Sequence, residues 1–151
     1  MCGIAGYVGK DKAAPILLNA LKRLEYRGYD SCGILTVSDS TMHYKKDAGK
    51  VSEVDKKHGF SELPGTFGIA HTRWATHGEP SQRNAHPHFD CNHNIGIVHN
   101  GIISNYLQLK KDLESRGHAF KSDTDSEVFA HLVEEKYHGN LEIAVRAAVK
   151  Y

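Results

Sequence analysis

The sequence has 151 residues, of which 40% are hydrophobic and 25% charged, and this composition is typical of one globular domain with a packed core. Nineteen Lys and Arg against 18 Asp and Glu give a net charge of +1, which provides no electrostatic basis for binding nucleic acid or an anionic membrane. No apolar stretch reaches the ~20 residues that span a bilayer, and three cysteines without a glycosylation sequence indicate a reducing compartment, so we expect a cytoplasmic protein.

The first third of the chain predicts a strand, a helix and a hairpin. The apolar, glycine-interrupted residues 2–8 are typical of a buried strand. Leucines then recur at helical spacing, which predicts a helix within residues 11–28 that ends at Gly28. Residues 32–37 and 41–46 are β-rich runs separated by three turn-forming residues, which predicts a hairpin.

The middle of the chain alternates polar segments with short strands. Residues 51–64 are weakly helical, and residues 66–72 predict a strand that leads into a loop. Residues 81–94 are rich in His, Asn and Pro and predict a second loop. Residues 95–98 predict a strand that ends at an Asn-Gly turn.

Three helices are predicted to follow. The first runs from a Ser104 cap to Arg116, the second starts after a capping box formed by Thr124 and Glu127, and the third runs from Leu141 to Val149. Because the strands cluster early at hairpin spacing, the pattern favours an α+β layered fold over a doubly wound parallel sheet.

Cys2 carries the clearest chemical signal in the sequence. If Met1 is removed, the Cys2 thiol and a free α-amine share one carbon atom. A thiol pKa of about 8.5 and an α-amine pKa of about 7.7–8.0 would let that amine accept the thiol proton. One residue could then supply both nucleophile and base, as in N-terminal-threonine enzymes. Position alone leaves an incidental cysteine as the simpler alternative.

Six sequence blocks, in order, resemble one protein family. They are MCGIAGYVG, LEYRGYDS, GIAHTRWATHGEPS, NAHPH, VHNGII and SDTDSEV. Together they resemble the glutaminase domain of glucosamine-6-phosphate synthases (glutamine–fructose-6-phosphate aminotransferases), among the class II N-terminal-nucleophile glutamine amidotransferases. The resemblance implies a four-layer α/β/β/α sandwich, C-terminally truncated. It also implies hydrolysis of L-glutamine to glutamate and ammonia through a Cys2 thioester.

The same resemblance assigns roles to eight residues. It implies a catalytic group of nucleophile and oxyanion hole, formed by Cys2, Asn100 and Gly101. It implies a glutamine-binding group, formed by Arg73, Trp74, Thr76, His77 and Asp125. Each has a structural alternative on sequence alone: a salt-bridged Arg, a core Trp, a packing role for Thr or His, an Asn-Gly turn, or a carboxylate favoured by a helix dipole.

The resemblance also sets expectations for domains and partners. We expect residues 2–151 to be a glutamine amidotransferase type 2 domain that is incomplete at its C-terminus. The sugar isomerase domains, with the fructose 6-phosphate site that would use the ammonia, are absent from this sequence, and a homo-oligomer is left open for the full-length form. The alternative is a catalytically inactive, truncated module that binds glutamine or a partner.

Eleven histidines raise the question of a metal. His86, His88, Cys91 and His93 lie within eight residues and are potential ligands, but their spacing matches no common zinc pattern. We therefore predict no metal site and no cofactor.

Overall fold

The computed structural model describes residues 2–151, so Met1, on whose removal the free α-amine of Cys2 depends, lies outside the described range. The strands are β1 Gly3–Val8, β2 Ser31–Ser38, β3 Thr41–Ala48, β4 Phe67–Arg73, β5 His88–Phe89 and β6 Gly96–Ile97. The α-helices are α1 Ala13–Leu24, α2 Val51–His58, α3 Tyr106–Ser115, α4 Glu127–Lys136 and α5 Leu141–Ala148. Within the described range, no helix has both the length and the apolarity needed to cross a membrane.

The main sheet has four strands in the order β1–β4–β2–β3, and every neighbouring pair is antiparallel. The predicted hairpin is confirmed as β2–β3. Its turn is one residue shorter than predicted, because Ser38 still pairs with Thr41. Asp39 and Ser40 form the turn with φ of +50° and +60°, the left-handed conformation that a two-residue hairpin turn needs.

One face of this sheet is covered by α1 and α2. The helix predicted within residues 11–28 is confirmed as α1, followed by a single 3-10 turn at Glu25–Arg27. Its buried leucines pack on Ile34 of β2 and Ala70 of β4, and Phe60, after α2, completes this core. The helical spacing of the leucines therefore produces the first helix-on-sheet pair of layers.

The other face of the sheet meets the short ribbon β5–β6. The ring of Tyr44 on β3 lies 4.5 Å from that of Phe89 on β5. Helix α4 packs on both ribbon strands, and α3, α4 and α5 share a second apolar core. The layers thus follow the order helix, sheet, ribbon, helix, as the predicted α/β/β/α sandwich requires. The loop predicted for residues 81–94 contains β5, which two residues are too few to reveal by periodicity.

The predicted capping box before α4 is wrong. The Glu127 carboxylate accepts hydrogen bonds from the backbone N–H groups of Lys121 (2.8 Å) and Ser122 (2.6 Å). Thr124 Oγ1 instead lies 2.9 Å from Nε2 of His88. Both side chains therefore hold the segment that leads into α4 against its neighbours.

Candidate active site

Strand pairing brings Cys2 to the end of β4. Because β1 and β4 are antiparallel with Gly3 opposite Thr72, the start of β1 lies beside the residues that follow β4. The backbone N–H of Trp74 donates to Cys2 Sγ at 3.1 Å, and Sγ lies 3.5 Å from the Trp74 carbonyl oxygen. A backbone N–H directed at sulfur stabilises a developing thiolate.

All eight residues that the sequence assigned to the site line one cavity of about 410 Å³. They come from three parts of the chain: the main sheet and the loop after β4, the turn after β6, and the segment before α4. In that order they are Cys2, Arg73, Trp74, Thr76 and His77, then Asn100 and Gly101, then Asp125.

A buried histidine orients the Asn100 side chain. His71 Nε2 lies 2.8 Å from Asn100 Oδ1, and Asn100 Nδ2 donates to the Cys2 carbonyl oxygen at 3.2 Å. Burial lowers the pKa of His71 to about 4, so this imidazole is neutral at neutral pH. Since Oδ1 can only accept, His71 carries its proton on Nε2. The amide NH₂ of Asn100 is thereby directed towards Cys2.

Arg73 and Asp125 bring opposite charges into the cavity, and both are at least 96% buried. Nη2 of Arg73 donates to the carbonyl oxygens of His77 and of Gly78, the latter at 3.0 Å. Its buried Nη1 has no hydrogen-bond partner among residues 2–151. Burial lowers the pKa of Arg73, and the charges of Cys2 and Asp125 oppose that shift. A guanidinium stays protonated in any protein, so the cavity contains an unsatisfied cationic donor.

Asp125 is held by a backbone donor from the other half of the site. One of its carboxylate oxygens accepts the N–H of Ile103 at 2.7 Å. Asp125 precedes α4, and Ile103 follows the turn that contains Asn100 and Gly101. This bond therefore connects the segment before α4 to the predicted oxyanion-hole residues.

Trp74 is 45% exposed at the edge of the cavity, where Tyr29 packs edge-on against it with ring centroids 5.4 Å apart. The chain before Tyr29 approaches so closely that a Cβ at Gly28 would lie 2.7 Å from the carbonyl carbon of Arg73. Only glycine fits this approach, which explains the glycine of the LEYRGYDS block. Trp74 is thus a partly exposed edge residue rather than a core residue.

Thr76 and His77 occupy the loop beyond Trp74. Thr76 is exposed and His77 is half-buried. His77 Nδ1 lies 3.4 Å from Thr76 Oγ1, and its ring meets that of Tyr106 edge-on at 5.5 Å. Both residues line the cavity, but the sheet does not fix them as it fixes Arg73.

Sequence reasoning missed four residues that support the site. His71 orients Asn100, as described above. The Asp30 carboxylate accepts the Ala75 N–H at 2.7 Å and so holds the loop after β4. His99 Nδ1 lies 3.0 Å from Ser126 Oγ, and the ring of His86 lies 4.0 Å from that of His71. All four lie inside the sequence blocks that carry the family resemblance. Their position in these blocks is the sequence signal that could have identified them.

The candidate ligand set His86, His88, Cys91 and His93 does not form one cluster. His86 meets His88 edge-on with ring centroids 4.4 Å apart, and His93 stacks on Phe89 at 4.7 Å. Cys91 lies instead beside His118 and His131, at 3.6 and 3.5 Å from their Nδ1 atoms. The four candidate ligands are therefore close in the sequence but do not surround a common point in the structure.

Comparisons with known proteins agree with this geometry. Residues 52–143 match the family model for the glutamine amidotransferase domain. Glutamine–fructose-6-phosphate aminotransferase [isomerizing] from Pyrococcus horikoshii is 56% identical over 151 residues, covering 99% of this chain and 25% of the relative. The enzyme of the same name from Methanococcus maripaludis is 61% identical over 136 residues, covering 90% of this chain and 22% of the relative. The chain thus spans about a quarter of the length of these curated relatives.

The fold is also shared with a solved structure. Glutamine phosphoribosylpyrophosphate amidotransferase from B. subtilis, complexed with ADP and GMP, superposes with a TM-score of 0.86 at 29% identity, covering 99% of this chain and 32% of that one. The predicted α+β fold of the N-terminal-nucleophile type is confirmed. The family match over residues 52–143 shows that the chain belongs to the glutamine amidotransferase family, in which it matches the N-terminal glutaminase part of the glutamine–fructose-6-phosphate aminotransferases.

Proposed function

We propose that this chain hydrolyses L-glutamine to glutamate and ammonia through a thioester on Cys2. The observation that carries the proposal is the convergence in one cavity of a cysteine sulfur, an oriented amide donor and two buried opposite charges. Together they match an amino acid with a side-chain amide, since its zwitterionic end and its reacting carbonyl each find a partner.

Binding uses the two buried charges. The unsatisfied Nη1 of Arg73 receives the α-carboxylate of glutamine in a charge-assisted hydrogen bond. The free carboxylate oxygen of Asp125 receives the α-ammonium. Trp74, Thr76 and His77 border the space through which the substrate enters. Holding both ends of the zwitterion directs the side-chain amide towards Cys2.

The reaction proceeds in two balanced steps. Cys2 sulfur bonds to the amide carbon, and the carbonyl oxygen becomes an oxyanion that accepts hydrogen bonds from Asn100 Nδ2 and the Gly101 N–H. The carbon–nitrogen bond then breaks, and the nitrogen leaves as ammonia with the proton originally on the thiol. Water attacks the thioester carbonyl in the second step, which releases glutamate and restores the thiol.

The proton carrier in this scheme is the α-amine of Cys2. It becomes available only when Met1 is removed, because an acylated nitrogen has no basic lone pair near neutral pH. The amine takes the thiol proton as sulfur attacks and returns it to the departing nitrogen.

The proposal extends to the longer enzyme in which such a domain acts. We infer that residues 2–151 belong to a glutamine amidotransferase type 2 domain. Its ammonia would pass to sugar isomerase domains, where fructose 6-phosphate becomes glucosamine 6-phosphate in the cytoplasm. The support is the name and length of the curated relatives, of which this chain spans a quarter.

A second candidate function is that of a binding module without turnover. An apolar groove of about 730 Å³ lies between the main sheet and the helices α4 and α5. Its lining includes Leu35, Ile69 and Val133, and a surface of this kind favours contact with further polypeptide. Such a module would bind glutamine in the cavity and a partner protein in this groove, and it would not need the Cys2 thiol.

Ammonia release by the Cys2→Ala variant separates the two functions. The parent chain, with Met1 removed and checked by mass spectrometry, is expected to release ammonia from glutamine, and Cys2→Ala is expected to release none. Cys32→Ala is the matched control, because Cys32 is 1% exposed and burial raises its thiol pKa to about 12, so it cannot supply a thiolate. Equal rates for Cys2→Ala and the parent would exclude the thioester mechanism. Glutamine binding without ammonia release by the processed parent would support the binding module.

A further inference from the structure

Four potential metal ligands converge on one point, and none of them has a role in the proposed glutaminase reaction. They are Cys91 in the β5–β6 loop, His118 after α3, and His131 and Glu134 on α4. One ligand atom from each lies within 4.8 Å of all the others. Among residues 2–151 this is the one group of three or more such side chains that could hold a metal ion. None of the four lines the cavity around Cys2.

Five of the six distances between these atoms are those of a tetrahedron, and the sixth, between Cys91 Sγ and Glu134 Oε2, is at most 4.8 Å. Cys91 Sγ lies 3.6 and 3.5 Å from Nδ1 of His118 and His131, and the two Nδ1 atoms lie 3.2 Å apart. Glu134 Oε2 lies 3.1 Å from His118 Nδ1 and 3.4 Å from His131 Nδ1. The centre of a tetrahedron with such edges is about 2.1 Å from each corner, which matches Zn–N and Zn–O bonds of about 2.0–2.2 Å and Zn–S bonds of about 2.3 Å.

Without a metal ion, the four groups hold two protons between them. A neutral imidazole Nδ1 is either a donor or an acceptor, and a carboxylate only accepts. His118 Nδ1–H can donate to Glu134 Oε2 at 3.1 Å and the Cys91 thiol to His131 Nδ1 at 3.5 Å, and a metal ion would displace both protons. A divalent ion at the centre would bond to all four, and its charge would be balanced by one thiolate and one carboxylate.

Polar side chains lie behind three of the four ligands, as expected around bound zinc. Asn92 Nδ2 donates to Glu134 Oε1 at 3.2 Å, which leaves Oε2 directed at the centre. Glu135 Oε1 lies 3.5 Å from His118 Nε2. Glu127 Oε1 lies 3.7 Å from Nε2 of the fully buried His131. A carboxylate behind the second ring nitrogen is the usual support of a zinc-bound histidine.

We propose that the chain binds one zinc ion through Cys91 Sγ, His118 Nδ1, His131 Nδ1 and Glu134 Oε2. Tetrahedral coordination by sulfur, nitrogen and oxygen selects zinc over magnesium or calcium, which prefer oxygen ligands at higher coordination number. Four protein ligands leave no open position, so the ion is structural. It joins the β5–β6 loop and the residues after α3 to α4, the helix that follows the segment containing Asp125.

The test is metal content and cobalt spectroscopy of the full chain. After reconstitution and gel filtration, elemental analysis is expected to give about one zinc per chain. Cobalt(II) in its place is expected to show tetrahedral visible bands and a thiolate-to-cobalt charge-transfer band. Cys91→Ser and His118→Ala are expected to lose stoichiometric binding. The matched controls Cys2→Ser and His138→Ala, the latter at an exposed site, are expected to keep it.

A supporting variant keeps the test valid if a ligand variant fails to fold. Glu135→Gln retains all four ligands and is expected to weaken zinc binding about 10–100-fold in competition with a chelator. Less than one-fifth of an equivalent of zinc in the reconstituted parent would overturn the proposal. So would a cobalt spectrum without a charge-transfer band, or unchanged affinity in Cys91→Ser and His118→Ala. Each of these readouts is independent of glutamine hydrolysis.

Discussion

At the scale of single residues, the direction of the Asn100 amide depends on His71. An amide at this position could present either its oxygen or its NH₂ to Cys2, and only the NH₂ stabilises an oxyanion. Asn100 Oδ1 lies 2.8 Å from His71 Nε2, so the Nε2–H tautomer of His71 binds the amide oxygen and leaves Nδ2 facing Cys2. The tautomer of His71, rather than its charge, therefore determines which group Asn100 presents to Cys2.

Asn100→Ala is expected to lower kcat for glutamine hydrolysis about 10²–10³-fold, because one oxyanion donor is lost. KM is expected to stay within about threefold, since Arg73 and Asp125 bind the other end of the substrate. Steady-state ammonia release measures both constants, and Asn105→Ala, outside the cavity, is the matched control. A rise in KM with unchanged kcat would show that Asn100 binds the ground state and does not form the oxyanion hole.

At the scale of elements, three histidines join β4 to the β5 region. The ring centroids of His71 and His86 lie 4.0 Å apart, and those of His86 and His88 lie 4.4 Å apart. Burial lowers the pKa of each, to about 4 for His71, to about 3 for His88, and well below the usual range for His86. The layers are therefore held together by imidazoles that must stay uncharged.

This arrangement predicts that the free energy of unfolding falls as pH falls from 6.5 towards 5. The unfolded chain binds protons at these histidines below pH 6.5, and the folded chain does not bind them until about pH 4, so acid favours unfolding. Each histidine contributes up to about 1.4 kcal/mol per pH unit. Carboxylates remain ionised above pH 5 and do not contribute in this window.

Urea unfolding at pH 7.0, 6.0 and 5.0 checks the effect. His86→Leu is expected to make the slope shallower by the share of one of these three imidazoles, because His71 and His88 remain. His138→Ala, at an exposed position, is expected to leave the slope as in the parent. Comparing each variant with the parent cancels any zinc released at low pH. A His86→Leu slope equal to that of the parent would contradict the assignment of the acid sensitivity to these histidines.

The sequence predicted long periodic elements well and short ones poorly. The leucines of α1 and the β-rich runs of β2 and β3, with the turn between them, indicate their structure locally. The two-residue strand β5 has no period and exists because β6 pairs with it. Asn100 and Gly101 look like an ordinary turn, and only Cys2, 98 residues away in the chain, makes them part of a site.

The cluster around Cys91 lay beyond sequence reasoning for a related reason. Its four residues come from three segments that are separated by α3 and the loop before α4. Zinc patterns in sequences rely on short spacing between pairs of ligands. Only His131 and Glu134 are close in the chain, at helical spacing, and such a pair is common on any polar helix.

At the scale of the whole molecule, the cavity lies between two separate apolar cores. The main sheet, which packs on α1 and α2, supplies Arg73. The helical half, which packs α3, α4 and α5 together, supplies Asp125 before α4. A zwitterion bound between these charges would connect the two halves, so ligand binding should stabilise the molecule as a whole.

The last prediction tests this connection by combining single substitutions with two ligands in the unreactive Cys2→Ala background. Calorimetry compares glutamine with glutaramate, which is glutamine without its α-ammonium. Asp125→Asn is expected to weaken glutamine binding at least ~30-fold, because the ammonium loses a buried charged partner. It is expected to change glutaramate binding less than about threefold, since that ligand has no ammonium to lose. Arg73→Gln, by contrast, removes the carboxylate partner and should weaken both ligands alike.

Thermal unfolding provides the matching readout for the two halves. At a glutamine concentration of 100 times Kd, binding to the folded state alone stabilises by about 2.7 kcal/mol, and the single unfolding transition should shift upward as one. For the Asp125→Asn variant, the upward shift of the unfolding transition with each ligand should be no larger than that variant's own Kd for the ligand predicts. If Asp125→Asn weakened glutamine and glutaramate equally, its carboxylate would serve only to hold the Ile103 N–H, and the ammonium would have to bind elsewhere.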